Sequence, residues 1–196
     1  MLFIYLNKSI ALKMTNAFSI LLVVTFIMTV STGSLAQAAS TPKKRVPIVY
    51  VCSPCGYDCD GKSFHKPGTC PVCHMPLVKK SSVTFKDIKP LEISAYLNAH
   101  PNTVLLDVRT KEEFEGKADP NFGTLKNAMN VPVQELQSKL STLGNFKKTE
   151  IIVYCSHAHR SAQASYILTQ HGFHNVLNMS GGVSVMTDSS YKKVFR

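Results

Sequence analysis

A single cysteine stands at the junction of a strand and a helix in the stretch IIVYCSHAHRSAQASYIL, residues 151–168. The four residues before Cys155 are β-branched or aromatic, which predicts a buried strand. Ser161 is a favourable N-cap, and apolar residues recur after it at helical spacing. A sulfur between a strand end and a helix N-terminus faces backbone N–H groups and the positive end of the helix dipole, a setting that favours the thiolate. The stretch therefore predicts a nucleophilic cysteine.

The polar loop after this cysteine holds further candidates for chemistry. His157, His159 and Arg160 can add positive charge beside the sulfur. The two histidines could also bind a metal together with Cys155, and solvent-exposed loop positions explain them equally well. Arg160 is suited to contact an anion, or to brace the loop through a carboxylate.

Five of the six cysteines lie in a second region, YVCSPCGYDCDGKSFHKPGTCPVCHMPLV, residues 50–78. Its two C-x-x-C pairs, Cys52/Cys55 and Cys70/Cys73, are spaced as in tetrahedral metal sites. A segment this short, with so few apolar side chains, cannot stabilise itself by a hydrophobic core. Since soft thiolates suit zinc or copper(I), the leading interpretation is a metal bound by these four cysteines.

Other ligands and other stabilising groups compete with that interpretation. Cys59, His65 and His74 are alternate metal ligands. Disulfides are a second possibility, since an exported chain permits them, although five cysteines leave one over. Haem c is a third, because Cys70 begins a C-x-x-C-H attachment pattern, although little apolar surface is available to wrap a porphyrin.

The N-terminal segment predicts export. Two lysines are its only charges before a mainly apolar run at residues 17–30, and Ala36-Gln37-Ala38 supplies an A-x-A site. This is the pattern of a secretory signal peptide. The run is short for a membrane span, which needs about 20 residues, and an uncleaved anchor is the alternative. We predict a signal peptide at residues 1–38 and a periplasmic or otherwise extracytoplasmic protein, which contacts a membrane only if that segment is uncleaved.

Composition sets broad limits on partners. The 196 residues are 44% hydrophobic and 17% charged, which argues against wholesale disorder. The formal net charge is +10, but the basic residues are scattered and no aromatic side chains alternate with them, so no nucleic-acid partner is expected. Attraction of small anions or of an anionic membrane surface fits the charge better, and a solvated surface fits it equally well.

Strand and helix patterns alternate along the rest of the chain, and they indicate where Cys155 lies in the fold. Strands are predicted at residues 83–85, 103–108, 127–132, 151–154 and 175–179, with helices from Pro90, at 111–115, at 133–143 and after the cysteine loop. This order predicts an α/β fold whose parallel sheet is covered by helices on both faces. In open sheets of this kind sites form at the carboxyl ends of strands, where Cys155 and Asp107 both lie.

The chain is thus predicted to comprise the signal peptide, a linker at 39–47, a cysteine module at 48–80 and an α/β domain at 81–196. The module resembles the short heavy-metal-binding domain of copper- and other metal-handling proteins, through Tyr50, Cys52 and the run KPGTCPVCHMPLV. His74 replaces the usual glycine, and Cys55 stands near a position where that family commonly has histidine. The resemblance implies a small, zinc-ribbon-like metal-binding module.

The α/β region resembles a single rhodanese domain. LLDVRTKEEFEG, NAMNVP, IIVYCSHAHRSAQASYIL and NVLNMSGGV fall on its characteristic segments in the expected order. The resemblance implies that Cys155 forms a persulfide and that Asp107 and Arg109 form a structural pair. It also implies that the substrate is bound by the residues of the following loop, namely Ser156, His157, Ala158, His159, Arg160 and Ser161. Ala158 stands where the family usually has glycine, and Met186 where it often has tryptophan.

Loop length indicates the reaction class. Four residues separate Cys155 from Arg160, whereas rhodanese-related phosphatases and arsenate reductases carry five, which widens the loop for a tetrahedral anion. The resemblance therefore implies an exported sulfurtransferase. It would move a sulfane sulfur from a small anion such as thiosulfate, through a Cys155 persulfide, to cyanide or a thiol. The alternative is a zinc or copper carrier or sensor whose rhodanese-like domain is inactive or only binds.

Overall fold

Two separate β-sheets organise residues 46–196, which are the residues that the computed structural model describes. The predicted signal peptide and most of the predicted linker lie outside the described residues. Both sheets belong to one compact unit. In the described part of the chain, no helix is long and apolar enough to cross a membrane.

The first sheet is small and antiparallel. Its strands are β1 (Tyr50–Cys52), β2 (Ser63–Phe64) and β3 (Leu77–Lys79), in the order β2-β1-β3. A short 3-10 helix, Asp58–Gly61, lies between β1 and β2. The residues buried inside this sheet region are mostly cysteines, and Met75 and Leu77 pack against them. We refer to residues 46–79 as the cysteine module.

The second sheet has five parallel strands and confirms the predicted α/β fold. Its strands and helices in chain order are β4 (Lys86–Ile88), α1 (Ile93–Ala99), β5 (Val104–Asp107), α2 (Lys111–Phe114), β6 (Met129–Asn130), α3 (Val133–Lys139), β7 (Glu150–Tyr154), α4 (His159–Gln170) and β8 (Asn175–Met179). The strand order is β4-β8-β7-β5-β6, so β7 occupies the centre. We refer to residues 83–196 as the sheet domain.

Both faces of the sheet are packed, because successive side chains of a strand point to opposite faces. In β7, Ile151 and Val153 join an apolar cluster that includes residues of α3 and α4. Ile152 and Tyr154 join a second cluster that includes Ile93 of α1. These four side chains are fully buried, as expected for a central strand of a parallel sheet covered by helices.

The first strand of this sheet differs from the prediction of residues 83–85. Val83 instead closes a 3-10 turn, since its N–H donates to the carbonyl of Lys80 at 3.2 Å. The backbone begins to pair with β8 only at Lys86. The β-branched and aromatic run was the predictive signal, but its side chains serve packing, because Phe85 lies against the cluster under α3 and α4.

Short 3-10 helices link several of the longer elements. They are Lys80–Ser82, Pro90–Glu92, Thr142–Phe146, Val183–Val185 and Ser189–Lys193. The predicted helix at 133–143 is therefore shorter, because α3 ends at Lys139 and a 3-10 helix follows. Gly144 and Asn145 in that second segment have low helix propensity, which accounts for the break.

The connector between the two sheets is fastened to α4. The carbonyl of Ser82 accepts a hydrogen bond from Gln170 Nε2 at 2.8 Å. The hydroxyl of Ser82 lies 3.3 Å from that of Tyr166. The chain that leaves the cysteine module is thus held against the C-terminal half of the same helix that follows Cys155.

Candidate active site and cysteine cluster

Cys155 follows β7, the central strand of the sheet, at its carboxyl end. Its side chain packs in the apolar cluster under α3 and α4, and the residue is 1% exposed. The sulfur lies 3.6 Å from the hydroxyl of Ser161 in the first turn of α4. The sulfur is therefore close to the helix N-terminus, where the dipole favours negative charge.

The helix begins earlier than the predicted N-cap at Ser161, and that part of the prediction is wrong. α4 starts at His159, and Ala158 is its cap residue in the left-handed conformation, with φ of 70°. Ser161 lies inside the first turn, where its hydroxyl donates to the carbonyl of Ala158 at 3.1 Å. The left-handed turn at Ala158 completes the reversal from strand to helix, so no side-chain cap is needed at Ser161.

The loop between β7 and α4 offers a row of backbone donors. In the described part of the chain, no oxygen accepts a hydrogen bond from the N–H groups of residues 156–161. N–H groups at a helix N-terminus bind anions readily, because their partial charges and the helix dipole add together. The loop can therefore stabilise an anionic sulfur at Cys155 or an anionic substrate beside it.

Arg160 is held by a carboxylate from α2. Its Nη1 and Nη2 atoms donate to the two oxygens of Glu113 at 2.5 and 2.8 Å. Ser156 joins the same group: its hydroxyl donates to Glu113 at 2.9 Å and lies 3.2 Å from Arg160 Nη2. The Arg160 guanidinium holds the pKa of Glu113 at about 2. Glu113, with a smaller contribution from Cys155, raises the pKa of Arg160. Arg160 therefore braces the loop and stays charged beside the sulfur.

Sequence reasoning assigned no role to Glu113, although a signal for it exists. Thr110-Lys111-Glu112-Glu113 satisfies the S/T-x-x-E capping box. The structure forms that box, since Glu113 N–H donates to Thr110 Oγ1 at 3.3 Å and Thr110 N–H donates to the Glu113 carboxylate at 3.0 Å. The capping box orients Glu113 toward Arg160, so one carboxylate caps α2 and braces the cysteine loop.

The turn after β8 supports the cysteine loop from below. Val183 N–H donates to the carbonyl of Cys155 at 2.9 Å, and Ser184 N–H donates to that of Ser156 at 3.0 Å. Gly182 allows this approach, because a Cβ atom at its position would lie 2.2 Å from the Ser156 carbonyl oxygen. Its φ of 69° also favours glycine.

Asp107 and Arg109 form a buried ion pair at the end of β5. Arg109 Nη2 lies 2.7 Å from Asp107 Oδ2, and the two residues are 1% and 0% exposed. The same Nη2 donates to the carbonyl of Gly123 at 2.8 Å and to Thr124 Oγ1 at 3.1 Å. The pair thus fastens a neighbouring loop to the sheet, which is a structural role.

The two loop histidines have different surroundings. His157 is exposed and meets the ring of Phe122 edge-on, with ring centroids 5.3 Å apart. His159 instead faces the cysteine module, where its ring stacks on Tyr57 at a centroid distance of 4.0 Å. Only His157 is thus free to meet a substrate from solvent.

In the cysteine module, four sulfurs converge on one point. They belong to Cys52, Cys59, Cys70 and Cys73 and lie within 4.8 Å of one another. The set includes Cys59, predicted only as an alternate ligand. Cys55, predicted as a main ligand, lies beside this set, with its sulfur 3.5 Å from Cys59 and 3.9 Å from Cys52. Cys55 belongs to a second, overlapping group with Cys52, Cys59 and Asp60.

The geometry of these sulfurs fits a metal. Thiolates about 2.3 Å from a tetrahedral zinc lie about 3.8 Å apart. The four sulfurs lie within 4.8 Å of one another, with Cys52 and Cys73 3.1 Å apart, so small shifts would bring them to that spacing. Burial raises the pKa of Cys52 and Cys55, whereas the hydrogen bond from Cys52 lowers that of Cys73 to about 6. A bound cation would replace the thiol protons and remove the cost of burying thiolates.

The other predicted arrangements fit the module less well. All six cysteines are free thiols, so no disulfide joins them. His65 and His74 are exposed and belong to neither ligand group of the described residues. The sulfurs of Cys70 and Cys73 point into the cluster, which leaves neither free for a haem thioether.

A sequence profile of the rhodanese-like domain matches residues 90–188, just over half of the chain. The chain belongs to the rhodanese-like family. The rhodanese-like domain so defined contains Cys155, its loop and the Gly182 turn, whereas the cysteine cluster lies before it.

Among curated proteins, the tRNA uridine(34) hydroxylase of Hamiltonella defensa is 29% identical over 116 residues, which are 53% of this chain and 31% of that protein. The protein of the same name from Cytophaga hutchinsonii is 27% identical over 103 residues, 51% of this chain and 31% of that protein. The chain therefore spans less than a third of the length of these relatives.

Solved structures of rhodanese-like domains are also similar to the chain. A rhodanese-related protein from Thermoplasma volcanium is 28% identical, with a TM-score of 0.43, and the match covers 52% of this chain and 89% of that one. A human single-domain sulfurtransferase is 24% identical, with a TM-score of 0.43, over 53% of this chain and 97% of that one.

Proposed function

We propose that the chain is a rhodanese-type sulfurtransferase. In this proposal Cys155 takes a sulfane sulfur from a small anionic donor such as thiosulfate and passes it to cyanide or a thiol. The observation that carries the proposal is the position of the Cys155 sulfur at the N-terminus of α4, behind a loop whose N–H groups are free to stabilise an anion. The loop places four residues between Cys155 and Arg160, a short span that suits a single sulfur atom better than a tetrahedral anion.

The proposed reaction is a ping-pong cycle in two displacements. The Cys155 thiolate attacks the outer sulfur of thiosulfate, a sulfur–sulfur bond forms, and sulfite leaves with the electron pair of the broken bond. Cyanide or a thiolate then attacks the outer sulfur of the persulfide and returns Cys155 as a thiolate. No outside oxidant or reductant is needed, because the sulfur atom carries its oxidation state from donor to acceptor.

Each part of the loop has a function in this cycle. The N–H groups of residues 156–161 would stabilise the thiolate and the persulfide, since preorganised dipoles need no rearrangement as charge develops. Arg160 adds a fixed positive charge, and Glu113 keeps it in one position. The turn at Gly182 holds the carbonyls of Cys155 and Ser156 by hydrogen bonds, which fixes the backbone at the start of the loop.

We place this reaction outside the cytoplasm, on the strength of the predicted signal peptide at residues 1–38. The curated relatives are named for tRNA uridine hydroxylation, but an exported chain would not meet tRNA. The match to them also covers less than a third of their length.

Replacement of Cys155 by serine tests the enzyme proposal. Thiocyanate formation from thiosulfate and cyanide should fall to background in Cys155→Ser, because a hydroxyl cannot form the persulfide. After thiosulfate treatment, intact-mass spectrometry should show about 32 Da added to the wild type and nothing added to the variant. A urea midpoint near that of the wild type would show that the variant is folded. Activity retained by Cys155→Ser would refute the assignment.

We also propose that the cysteine module binds zinc or copper(I), which the four convergent sulfurs support. Elemental analysis of the purified protein should find bound metal, and Cys59→Ser should lose it. Cys155→Ser is the matched control and should retain the metal, because its sulfur lies outside both ligand groups. Metal content unaffected by Cys59→Ser would contradict this ligand set.

The same measurements distinguish the enzyme from the alternative function, which is a metal carrier or sensor with an inactive rhodanese-like domain. A protein that binds metal but never gains about 32 Da after thiosulfate treatment would be such a carrier or sensor. A persulfide in the metal-loaded protein would favour the enzyme.

A further inference from the structure

The cysteine module touches the loop that follows Cys155 through one tight turn. This turn comprises Cys55, Gly56 and Tyr57. A Cβ atom at Gly56 would lie 2.7 Å from the Cα of His159 and 2.8 Å from the carbonyl oxygen of Ala158. The two backbones are thus so close that only glycine fits, and its φ of 74° favours glycine as well.

His159 is held on two sides by this turn. Its Nδ1 lies 3.1 Å from the carbonyl oxygen of Cys55, which can only accept, so the ring N–H donates. Its ring also stacks on Tyr57, with an interplanar angle of 29°. Because His159 is the first residue of α4, the turn fixes the point at which the cysteine loop becomes a helix.

Residues beside the proposed metal ligands hold the turn of Cys55, Gly56 and Tyr57 in place. The carboxylate of Asp60 accepts hydrogen bonds from the N–H groups of Cys55 and Gly56, at 2.9 and 2.7 Å. Asp60 follows Cys59, whose sulfur belongs to the four-sulfur cluster. Because most side chains buried inside the module are cysteines, with Val51 buried beside them, the cluster must be closed for the turn to keep its shape.

The loop needs outside support at this point. Ala158 has the left-handed backbone conformation that a Cβ atom disfavours. The residue is buried, and its carbonyl is one of the atoms closest to Gly56. The turn therefore packs against Ala158, whose left-handed backbone conformation is unfavourable for an alanine.

We propose that His159 is a positioning residue through which the metal-bound cysteine module holds the Cys155 loop in its anion-binding conformation. The consequence, that sulfur transfer depends on metal bound in the neighbouring module, rests on the proposed sulfurtransferase function. His159 does not act on the sulfur. It transmits the order of the module to the start of α4.

Two glycines of the module provide a matched test. Gly56→Ala in the full zinc-loaded chain would push the turn away from Ala158 and His159, whereas Gly61→Ala meets nothing within 4 Å. We expect both variants to bind as much zinc as the wild type. The readout is the exchange of the first hydrogen-bonded amides of α4, residues 162–165, which we call loop exchange because Ala162 N–H donates to the carbonyl of Ala158 in the loop. In Gly56→Ala alone, loop exchange should accelerate by about tenfold and persulfide formation should slow by a similar factor. Wild-type values of both quantities in a zinc-loaded Gly56→Ala protein would overturn the proposal.

Two histidines, one at the start of α4 and one directly after its last residue, provide a milder test that leaves the module unchanged. His159→Phe keeps a ring against Tyr57 but loses the N–H donor, and it should accelerate loop exchange by about threefold. His159→Asn loses the ring but supplies an amide nitrogen in the place of Nδ1, and it should recover most of the difference from the wild-type rate. His171→Phe, at the opposite end of α4, is the control and should have no effect. Loop exchange equal to wild type in His159→Phe, or no rescue by asparagine, would exclude the positioning role.

Zinc removal tests whether the order of the loop depends on the metal through the Gly56 contact. In the wild type a chelator should accelerate loop exchange as strongly as Gly56→Ala does, and it should add little in Gly56→Ala, because the contact is already broken. Fully additive effects would refute the transmission. The exchange data do not depend on catalysis, so metal-dependent exchange without any persulfide would refute only the sulfurtransferase function. If all these variants formed the persulfide and exchanged their loop amides at wild-type rates, only the positioning role would be refuted.

Discussion

The cysteine module and the sheet domain are stabilised in opposite ways. The sheet domain buries two apolar clusters, one on each face of five parallel strands. The module buries little except sulfur, and its three strands are two or three residues long. A hydrophobic core makes folding independent of ligands, whereas a thiolate cluster makes it depend on metal. One chain thus combines a domain stabilised by a hydrophobic core with a module whose stability would depend on the proposed metal.

The same residue type serves both regions with different results. Cys70 and Cys155 are equally buried, at 0% and 1% exposure. Cys70 is surrounded by other sulfurs, which suits a shared cation, whereas Cys155 stands alone between apolar side chains and a helix N-terminus. Burial alone therefore does not determine what a cysteine does, and the neighbouring groups decide between a ligand and a nucleophile.

The largest expected difference between the two regions is in their response to removal of the proposed metal. A structural zinc site contributes about 10–16 kcal/mol of apparent binding free energy, so a chelator should unfold the module. Hydrogen exchange should then lose protection at residues 50–79 while the amides of β5 and β7 stay protected, because their core contains no metal ligand. Simultaneous loss of protection in β7 would show that the sheet domain is not an independent scaffold.

The buried ion pair of Asp107 and Arg109 is a polar interaction inside the sheet domain, as the sulfur cluster is inside the cysteine module. Arg109→Met leaves the buried Asp107 carboxylate without its guanidinium partner, with the backbone N–H of residue 109 still donating to it, and should lower the free energy of unfolding by about 3–5 kcal/mol in urea titrations. Lys111→Met, which removes an exposed lysine 3.8 Å from Glu115, is the control and should change it by less than about 0.5 kcal/mol. Bound zinc per chain should stay constant in both. A loss of zinc with Arg109→Met would mean that the module depends on the sheet domain.

Glu113 gives the sheet domain a pH dependence of known sign. Its folded pKa of about 2 lies below the ordinary value of 4.5. Its stabilising contribution is therefore complete above about pH 4.5 and disappears as the pH falls toward 2. Glu113→Gln should cost about 1–2 kcal/mol at neutral pH and flatten the stability curve over that interval. Glu112→Gln, one position earlier on α2, is the matched control, and an equal flattening there would rule out the Arg160 pairing as the cause.

The smallest effect is expected where the two regions meet. Ala158→Gly relieves the left-handed strain and should raise the free energy of unfolding by about 0.5–1 kcal/mol. It should also make the loop less dependent on the module, so zinc removal would accelerate loop exchange less than in the wild type. Unchanged stability together with undiminished zinc dependence would show that the backbone of Ala158 is not strained.

The sheet domain was largely predictable because its signals are local. β8 was predicted at the residues where it occurs, and β7 began one residue earlier than expected, since uninterrupted apolar runs bounded by polar residues specify buried strands. The first strand was misplaced because Val83 and Phe85 look like strand residues but serve a turn and a packing contact. Propensity describes one residue at a time, and pairing partners decide where a strand begins.

The candidate site was predictable only in part, for a related reason. Cys155 and Arg160 were evident because they are close in sequence. Glu113 was missed because it lies 47 residues from Arg160, and the contact of His159 with Cys55 spans 104 residues. Two-residue spacers likewise suggested Cys55 as a main ligand and Cys59 as an alternate, whereas tertiary folding places Cys59 in both possible ligand groups and Cys55 in one of them. Contacts between distant segments leave no periodic trace in one sequence.

The hydrogen bonds of Ser82 to α4 have a consequence for how tightly the module holds the loop. They fasten the connector a few residues from the module, so the contact between Gly56 and His159 forms within one chain at high effective concentration. For short tethers this concentration is in the millimolar range, so a contact too weak to survive between separate molecules can still be well populated. A detached module added at micromolar concentration would therefore not replace the tethered one. The connector turns a modest surface contact into a lasting attachment.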